Sequence, residues 1–379
     1  MTSRATTFGF LSSAPPTPCG IATFTTALGS ALARQGGRVR VVRVVDDANA
    51  PMKGESKVVG HLVGSDPSTI EGAVDALNRS DIAIVQHEYG LYGGRDGSDV
   101  VTVLEGLRIP SVAILHTILP DPMSHQREVL DAVILAADAV VVMTDAAEAT
   151  LRRVNNVGPT PVSVIAHGAA IAHPHRGRGD GVHPKILTWG LLGPGKGVEW
   201  VIDALMDLTD LNPAPRYVVA GCTHPKVLAY EGDVYRESLE RRVRHNGVGA
   251  MVEFDNTYRS LSSLNTLIDS ADVVVLPYDS TEQATSGVLV DAIAAGRPVV
   301  ATAFPHAVEL LGEGAGIVVP HRDPAALSRA IRRLLTEPEL VAEMNATARR
   351  LAPGLSWDAI GAQYQDLTDR LLSPVGVGA

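Results

Sequence analysis

The chain has 379 residues, 45% of them apolar and 20% charged, with a net charge of −10. That is enough chain for two domains with a core each, and the acidic balance argues against general binding to nucleic acid or to an anionic membrane. Two cysteines, Cys19 and Cys222, are too few and too far apart for a disulfide framework or a zinc site, which points to a reducing compartment.

The opening Met1-Thr-Ser-Arg-Ala-Thr-Thr7 lacks the basic region and apolar core of a signal peptide. The apolar run from Ala132 to Met143 is interrupted by Asp138 and falls short of the roughly 20 residues that span a bilayer. A cytoplasmic protein without an integral membrane segment is expected. Strand-like runs then recur at 8–11, 39–45, 57–63, 82–86, 111–116, 139–143 and 162–165, mostly separated by Ala/Leu-rich helical patterns. They predict one doubly wound parallel-sheet domain over residues 1–170. The stretch from Ala172 to Pro184 is rich in Gly, Pro and His without periodicity and reads as a linker or exposed loop. A second series at 185–190, 217–220, 251–254, 273–276, 299–301 and 316–319 predicts another α/β domain over 171–354. The tail, 355–379, reads as a helix that packs on either domain, with the first as one option. Two such domains are expected to turn their strand ends toward one interdomain cleft.

Pro277 to Thr302 is the most informative segment. Asp272-Val-Val-Val-Leu276 is a buried parallel strand by its β-branched run, and Thr285 or Ser286 can cap a helix that Gly296 and Pro298 stop. A helix starting at the carboxyl end of a parallel strand offers free N–H groups and the positive end of its dipole to an anion. Gly287 lets a ligand approach the backbone. Upstream, Gly190-Leu-Leu-Gly-Pro-Gly-Lys-Gly197 sets Lys196 in a Gly-rich turn before a helix beginning near Val198, where its ammonium can reach a phosphate. The bland alternatives are an ordinary strand-loop-helix crossover and a solvated lysine.

Five segments taken in order resemble one family: Pro15-Pro-Thr-Pro-Cys-Gly-Ile-Ala-Thr-Phe24, His116-Thr117, Val164-Ile-Ala-His-Gly168, Gly190–Gly197 and Pro277–Thr302. The chain is similar to the retaining glycosyltransferases of family 4, which have the two-domain GT-B fold. The resemblance implies transfer of a hexosyl group, of mannosyl or glucosyl type, from a nucleoside-diphosphate sugar to a sugar or small-molecule hydroxyl. It implies no metal and no cofactor beyond that substrate, and no nucleic-acid partner; the oligomeric state is not readable.

The resemblance also implies roles. Lys196 neutralises the departing diphosphate; Gly195, Ser286, Gly287 and Val288 line the donor; Gly20, where a loop meets a helix, brings its N–H to the donor diphosphate or the acceptor; Asp291, at the second carboxylate of the family's Glu-x7-Glu motif, accepts the ribose hydroxyls. His116 hydrogen-bonds the donor sugar or the acceptor hydroxyl. Gln283 stands where the family usually has the first Glu, keeping hydrogen bonding without negative charge, while Glu282 is one residue too early. Leu191 occupies a position where the family often has a phosphate-binding Arg, with Arg259 a distant substitute. His87 and Glu88 follow another strand and are acceptor-side candidates, with a simple turn as the alternative. Cys19 reads as a packing residue, and His173, His175 and His183 lack the carboxylates a metal site would add. The alternative functions are a non-catalytic sugar-nucleotide-binding protein or partner subunit, or an epimerase or phosphorylase of the same fold.

Overall fold

In the computed structural model the described residues are 5–17, 19–46, 57–64, 66–171, 183–257 and 259–373. The chain divides into two units, one holding everything up to Gly168 together with the segment from Trp357 onward, the other running from Ala169 to Ser356.

In the first unit the strands are β1 (Thr7–Ser12), β2 (Arg38–Val45), β3 (Val58–Val63), β4 (Ile82–His87), β5 (Ser111–Leu115), β6 (Ala139–Val142) and β7 (Val162–Val164). All pairings are parallel, in the order β3-β2-β1-β4-β5-β6-β7, so the order reverses between β1 and β4. Such a reversal opens a crevice at the carboxyl ends of the two strands. The helices are α1 (Gly20–Arg34), α2 (Thr69–Leu77), α3 (Asp99–Glu105), α4 (Ser124–Ala136) and α5 (Asp145–Val154).

The second unit repeats the plan with β8 (Lys185–Trp189), β9 (Arg216–Ala220), β10 (Val252–Asp255), β11 (Val273–Leu276), β12 (Val299–Thr302) and β13 (Gly316–Val319). These are again parallel, in the order β10-β9-β8-β11-β12-β13, with the reversal between β8 and β11. Its helices are α6 (Val198–Ala204), α7 (Pro225–Glu231), α8 (Val234–His245), α9 (Leu261–Asp269), α10 (Gly287–Ala294), α11 (Pro305–Leu311), α12 (Pro324–Thr336) and α13 (Pro338–Leu355). Side chains alternate between the faces of this sheet. Ile186, Val219, Val273 and Val275 pack with α6, α8 and α12, while Leu187, Val218, Val274 and Leu276 pack with α9, α10 and α11. Burial on both faces is what turns these strands into continuous Val/Ile/Leu runs. Each of the thirteen runs expected from the sequence is a strand, and the doubly wound class holds for both units.

The last described helix, α14 (Trp357–Leu372), belongs to the first unit. Its Ile360, Tyr364 and Leu367 enter the core formed by Phe8, Phe10, Phe24, Leu28 and Leu32. At about 1.5–3 kcal/mol per fully buried large apolar side chain, these three outweigh the exposed Arg34–Asp358 ion pair beside them. Among the described residues no helix is long and apolar enough to cross a membrane.

Candidate functional site

In the second unit the turn after β8 and the loop after β11 lie at the carboxyl ends of the two strands that flank the reversal. Gly197 has φ +67, and a Cβ there would sit 1.8 Å from the Pro277 carbonyl oxygen, so only glycine lets these segments touch. Asp279 N–H donates to the Gly195 carbonyl at 2.9 Å, and the Asp279 carboxylate accepts from Trp200 Nε1 at 2.7 Å. Between these fixed points Lys196 is half-buried, with Nζ 4.6 Å from the centroid of the Tyr278 ring. That contact holds the ammonium by its attraction to the ring face, worth about 0.5–2 kcal/mol. Among the described residues no carboxylate pairs with it.

Ser286 caps α10: its Oγ accepts from Leu289 N–H at 3.3 Å, while its own N–H donates to His306 Nδ1 at 2.8 Å. Both of these groups are therefore engaged within the protein. The N–H groups of Gly287 and Val288, which precede the first possible intrahelical bond, have no acceptor among the described residues and are the ones left for an anion. Of the two caps the sequence allows, Ser286 is the one used.

Gln283 donates its amide to the Thr285 carbonyl at 3.1 Å, and Glu282 is exposed, with its N–H on Ser280 Oγ. Asp291 lies one turn along α10, in a groove lined by Ala170, Asn265, Ile268, Asp269 and Ala295, and burial pushes its carboxyl up to about 7. Leu191 brings no charge, and Arg259 is held by Asp255 and Ser263. Asp255 in turn is kept at about 2, first by hydrogen bonds from Thr257 and then by Arg259.

The first unit collects a different set of groups at the ends of β4 and β5. His116 Nε2 and Gln86 Oε1 are 2.5 Å apart, and Thr117 Oγ1 donates to Glu88 Oε2 at 2.6 Å. Phe24 meets His116, His167 and Trp357 edge-on, each with centroids 5.1 Å away. His87 is fully buried, and neither of its ring nitrogens has a partner among the described residues. All three imidazoles are held neutral. Burial, with His167 and His87 nearby, takes His116 to about 3, and burial takes His87 to about 4. Burial also takes His167 to about 4, against the opposing pull of its hydrogen bond to the Gly168 carbonyl. Gly20 opens α1 with open space where a Cβ would be, and Cys19 accepts a bond from Ser13 Oγ at 3.5 Å. His173 and His175 lie outside the described residues, and His183 donates to the Ala214 carbonyl at 2.7 Å.

Two family models match: Glycosyltransferase Family 4 over residues 18–172 and Glycosyl transferases group 1 over 183–337. The chain belongs to glycosyltransferase family 4. Among curated family members, the D-inositol 3-phosphate glycosyltransferase of Corynebacterium efficiens is 26% identical over 289 residues, which is 69% of this chain and 65%, just under two thirds, of that protein. Sucrose-phosphate synthase from Thermosynechococcus elongatus superposes with a TM-score of 0.76 at 20% identity, covering 97% of this chain and 99% of that one. Anabaena Alr3699/HepE, solved in complex with UDP and glucose, superposes at 0.75 with 16% identity, covering 96% and 100%. The fold is that of the GT-B glycosyltransferases.

Some neighbours of the family 4 residues carry no local sequence signal. Tyr278, Phe304 and His306 are visible only through their contacts, since an aromatic or a histidine near a strand end looks the same whether or not it supports another residue. His224, which caps α7, is likewise visible only through its surroundings. Burial lowers its imidazole first, with Lys226 and Lys196 adding to the effect, which places it within electrostatic reach of Lys196.

Proposed function

We propose that this chain is a retaining, metal-independent hexosyltransferase that moves a mannosyl- or glucosyl-type group from a nucleoside-diphosphate sugar to an acceptor hydroxyl. The observation that carries the reading is the pairing of Lys196, held over Tyr278, with the unengaged N–H groups of Gly287 and Val288 at the switch point of one sheet. A fixed cation and a helix N-terminus oppose charge growing on a departing diphosphate without having to reorganise. In this reading Asp291 accepts the ribose hydroxyls once ionised, and Gln283 hydrogen-bonds the sugar. A donor phosphate oxygen takes the acceptor proton as the new bond forms on the face the diphosphate leaves. His116, neutral and donating through Nε2, keeps Nδ1 to accept from a sugar hydroxyl. His87 and Glu88 stay on the acceptor side, and the expected location is the cytoplasm.

The names of the relatives support this class: an inositol-phosphate glycosyltransferase, and solved neighbours holding UDP or UDP-glucose. One observation favours a second reading, a sugar-nucleotide-binding protein without turnover. Gln283 replaces a carboxylate, and its amide is already bonded to Thr285. The deciding experiment is thermal unfolding with millimolar GDP, UDP, ADP, TDP and their sugar conjugates, followed by product analysis with the stabilising donor. Release of nucleoside diphosphate with extension of an acceptor is expected. Tight binding without release, unchanged by Gln283→Glu, favours the second reading, and no stabilisation by any of them overturns both.

A further inference from the structure

The segment after β12 contacts both Tyr278, which carries Lys196, and Ser286, which caps α10. Phe304 is fully buried and stacks on Tyr278, with centroids 5.3 Å apart and planes at 29°, behind the ring that carries Lys196. Thr302 Oγ1 donates to the Tyr278 carbonyl at 2.7 Å and fixes the same residue from its backbone side. Two residues after Phe304, His306 is 5% exposed and accepts the Ser286 N–H through Nδ1 at 2.8 Å, while its own backbone N–H points to the Gln283 carbonyl at 3.5 Å. Pro305 lies between them as the first residue of α11.

Accepting at Nδ1 fixes the tautomer, because a neutral imidazole that accepts there carries its proton on Nε2. It also fixes the backbone of the α10 cap. Ser286 is 3% exposed, so without His306 its N–H would be buried and unpaired, and the loop would have to turn to satisfy it. That turn would re-aim the Gly287 and Val288 N–H groups, since they follow Ser286 directly.

We propose that His306 is a positioning residue for the donor diphosphate, holding the first turn of α10 in its anion-binding direction through the Ser286 N–H, while Phe304 does the same for Lys196 through Tyr278. This rests on the donor-site reading above. His306 touches no substrate; it acts through the cap.

Leucine and asparagine are close in shape, and the asparagine side-chain oxygen, attached at Cγ like Nδ1, keeps the acceptor. His306→Leu and His306→Asn therefore lose the same ring and differ in the hydrogen bond. The test is calorimetric titration of the full chain and both variants with UDP, GDP, ADP and TDP, alongside amide hydrogen exchange over 284–290. His306→Leu is expected to weaken nucleoside-diphosphate binding about tenfold, the equivalent of about 1.4 kcal/mol, and to speed exchange at Gly287 and Val288. His306→Asn is expected to stay within about threefold of the parent. With a donor sugar, the Leu variant raises KM more than it lowers kcat. Equal binding by the two variants, whether both intact or both weakened, overturns the proposal. If the parent protein binds none of the four nucleotides, the donor-site reading fails first and takes this inference with it, a result visible before either variant is compared.

Discussion

At the end of β8 and β11, Lys196 and the Gly287 and Val288 N–H groups present positive charge, and Asp291 is a carboxyl pushed toward neutrality. At the end of β4 and β5, the first unit gathers His87, His116 and His167, all pushed toward neutrality around Phe24. The same doubly wound scaffold thus gathers cationic groups at one switch point and, beside the Glu88 carboxylate, neutral imidazoles at the other. Burial alone accounts for much of the second, because imidazole desolvated against aromatic rings gives up its proton at neutral pH. The two sets also respond to pH with opposite signs.

The largest expected effect lies in the charged set. Lys196→Ala should cut turnover by about 100- to 1,000-fold, the range seen when one preorganised electrostatic partner is removed, with unfolding unchanged. Near-parental rates would remove Lys196 from the mechanism and erase the contrast between the units. Next in size, Leu367→Ala should destabilise the first unit by about 2–5 kcal/mol, read by hydrogen exchange as faster opening of β1, β2 and α1 with the second unit's strands unaffected. Equal loss in both units would contradict their separate cores.

The pH responses come third. Between pH of about 6.5 and 4 the unfolded chain takes up protons that the buried histidines refuse, so the first unit should lose stability as pH falls through that window, by up to about 1.4 kcal/mol per pH unit for each histidine. Asp291 acts in the other direction. Its proton is kept in the fold up to about 7 and lost near 4 when unfolded, so its contribution declines as pH rises from about 4 to 7. Calorimetry across this range should give opposing midpoint trends, and Asp291→Asn should flatten the second unit's trend. Donor affinity should rise as pH climbs through about 7, because only the ionised carboxylate accepts both ribose hydroxyls; a flat profile removes the ribose role. The smallest effect concerns Tyr364, whose hydroxyl is buried without a partner among the described residues. Tyr364→Phe should be neutral or stabilise by about 1 kcal/mol in chemical denaturation, and a clear loss would mean the hydroxyl is satisfied in solution.

The strands were legible because parallel strands covered on both faces must be continuous apolar runs, and Val273–Leu276 carries that pattern in full while Val299–Thr302 carries it up to Ala301. The helix start at Ser286 was legible for a similarly local reason, a hydroxyl followed by glycine at a strand end. What could not be read was who supports whom. The contact of His306 with Ser286 crosses 20 residues, and that of Gln86 with His116 crosses 30. No periodicity records such meetings, which depend on how two crossovers land beside each other. The side chosen by α14 was open for the same reason: its stripe of Ile360, Tyr364 and Leu367 is apolar, and an apolar stripe does not name the core that receives it.

The return of α14 to the first unit has a consequence for how the protein is made. Everything from Ala169 to Ser356 leaves the ribosome after the first sheet is complete and before its closing helix exists. At elongation rates of about 5–20 residues per second, the apolar side of α1 that will receive Ile360 and Tyr364 waits roughly 10–40 s for its cover. During that interval the second unit can finish folding while the older one stays sticky. Poor yield from a slow or stalled message should therefore show up as aggregation through the first half of the chain, although the missing piece is encoded at the other end.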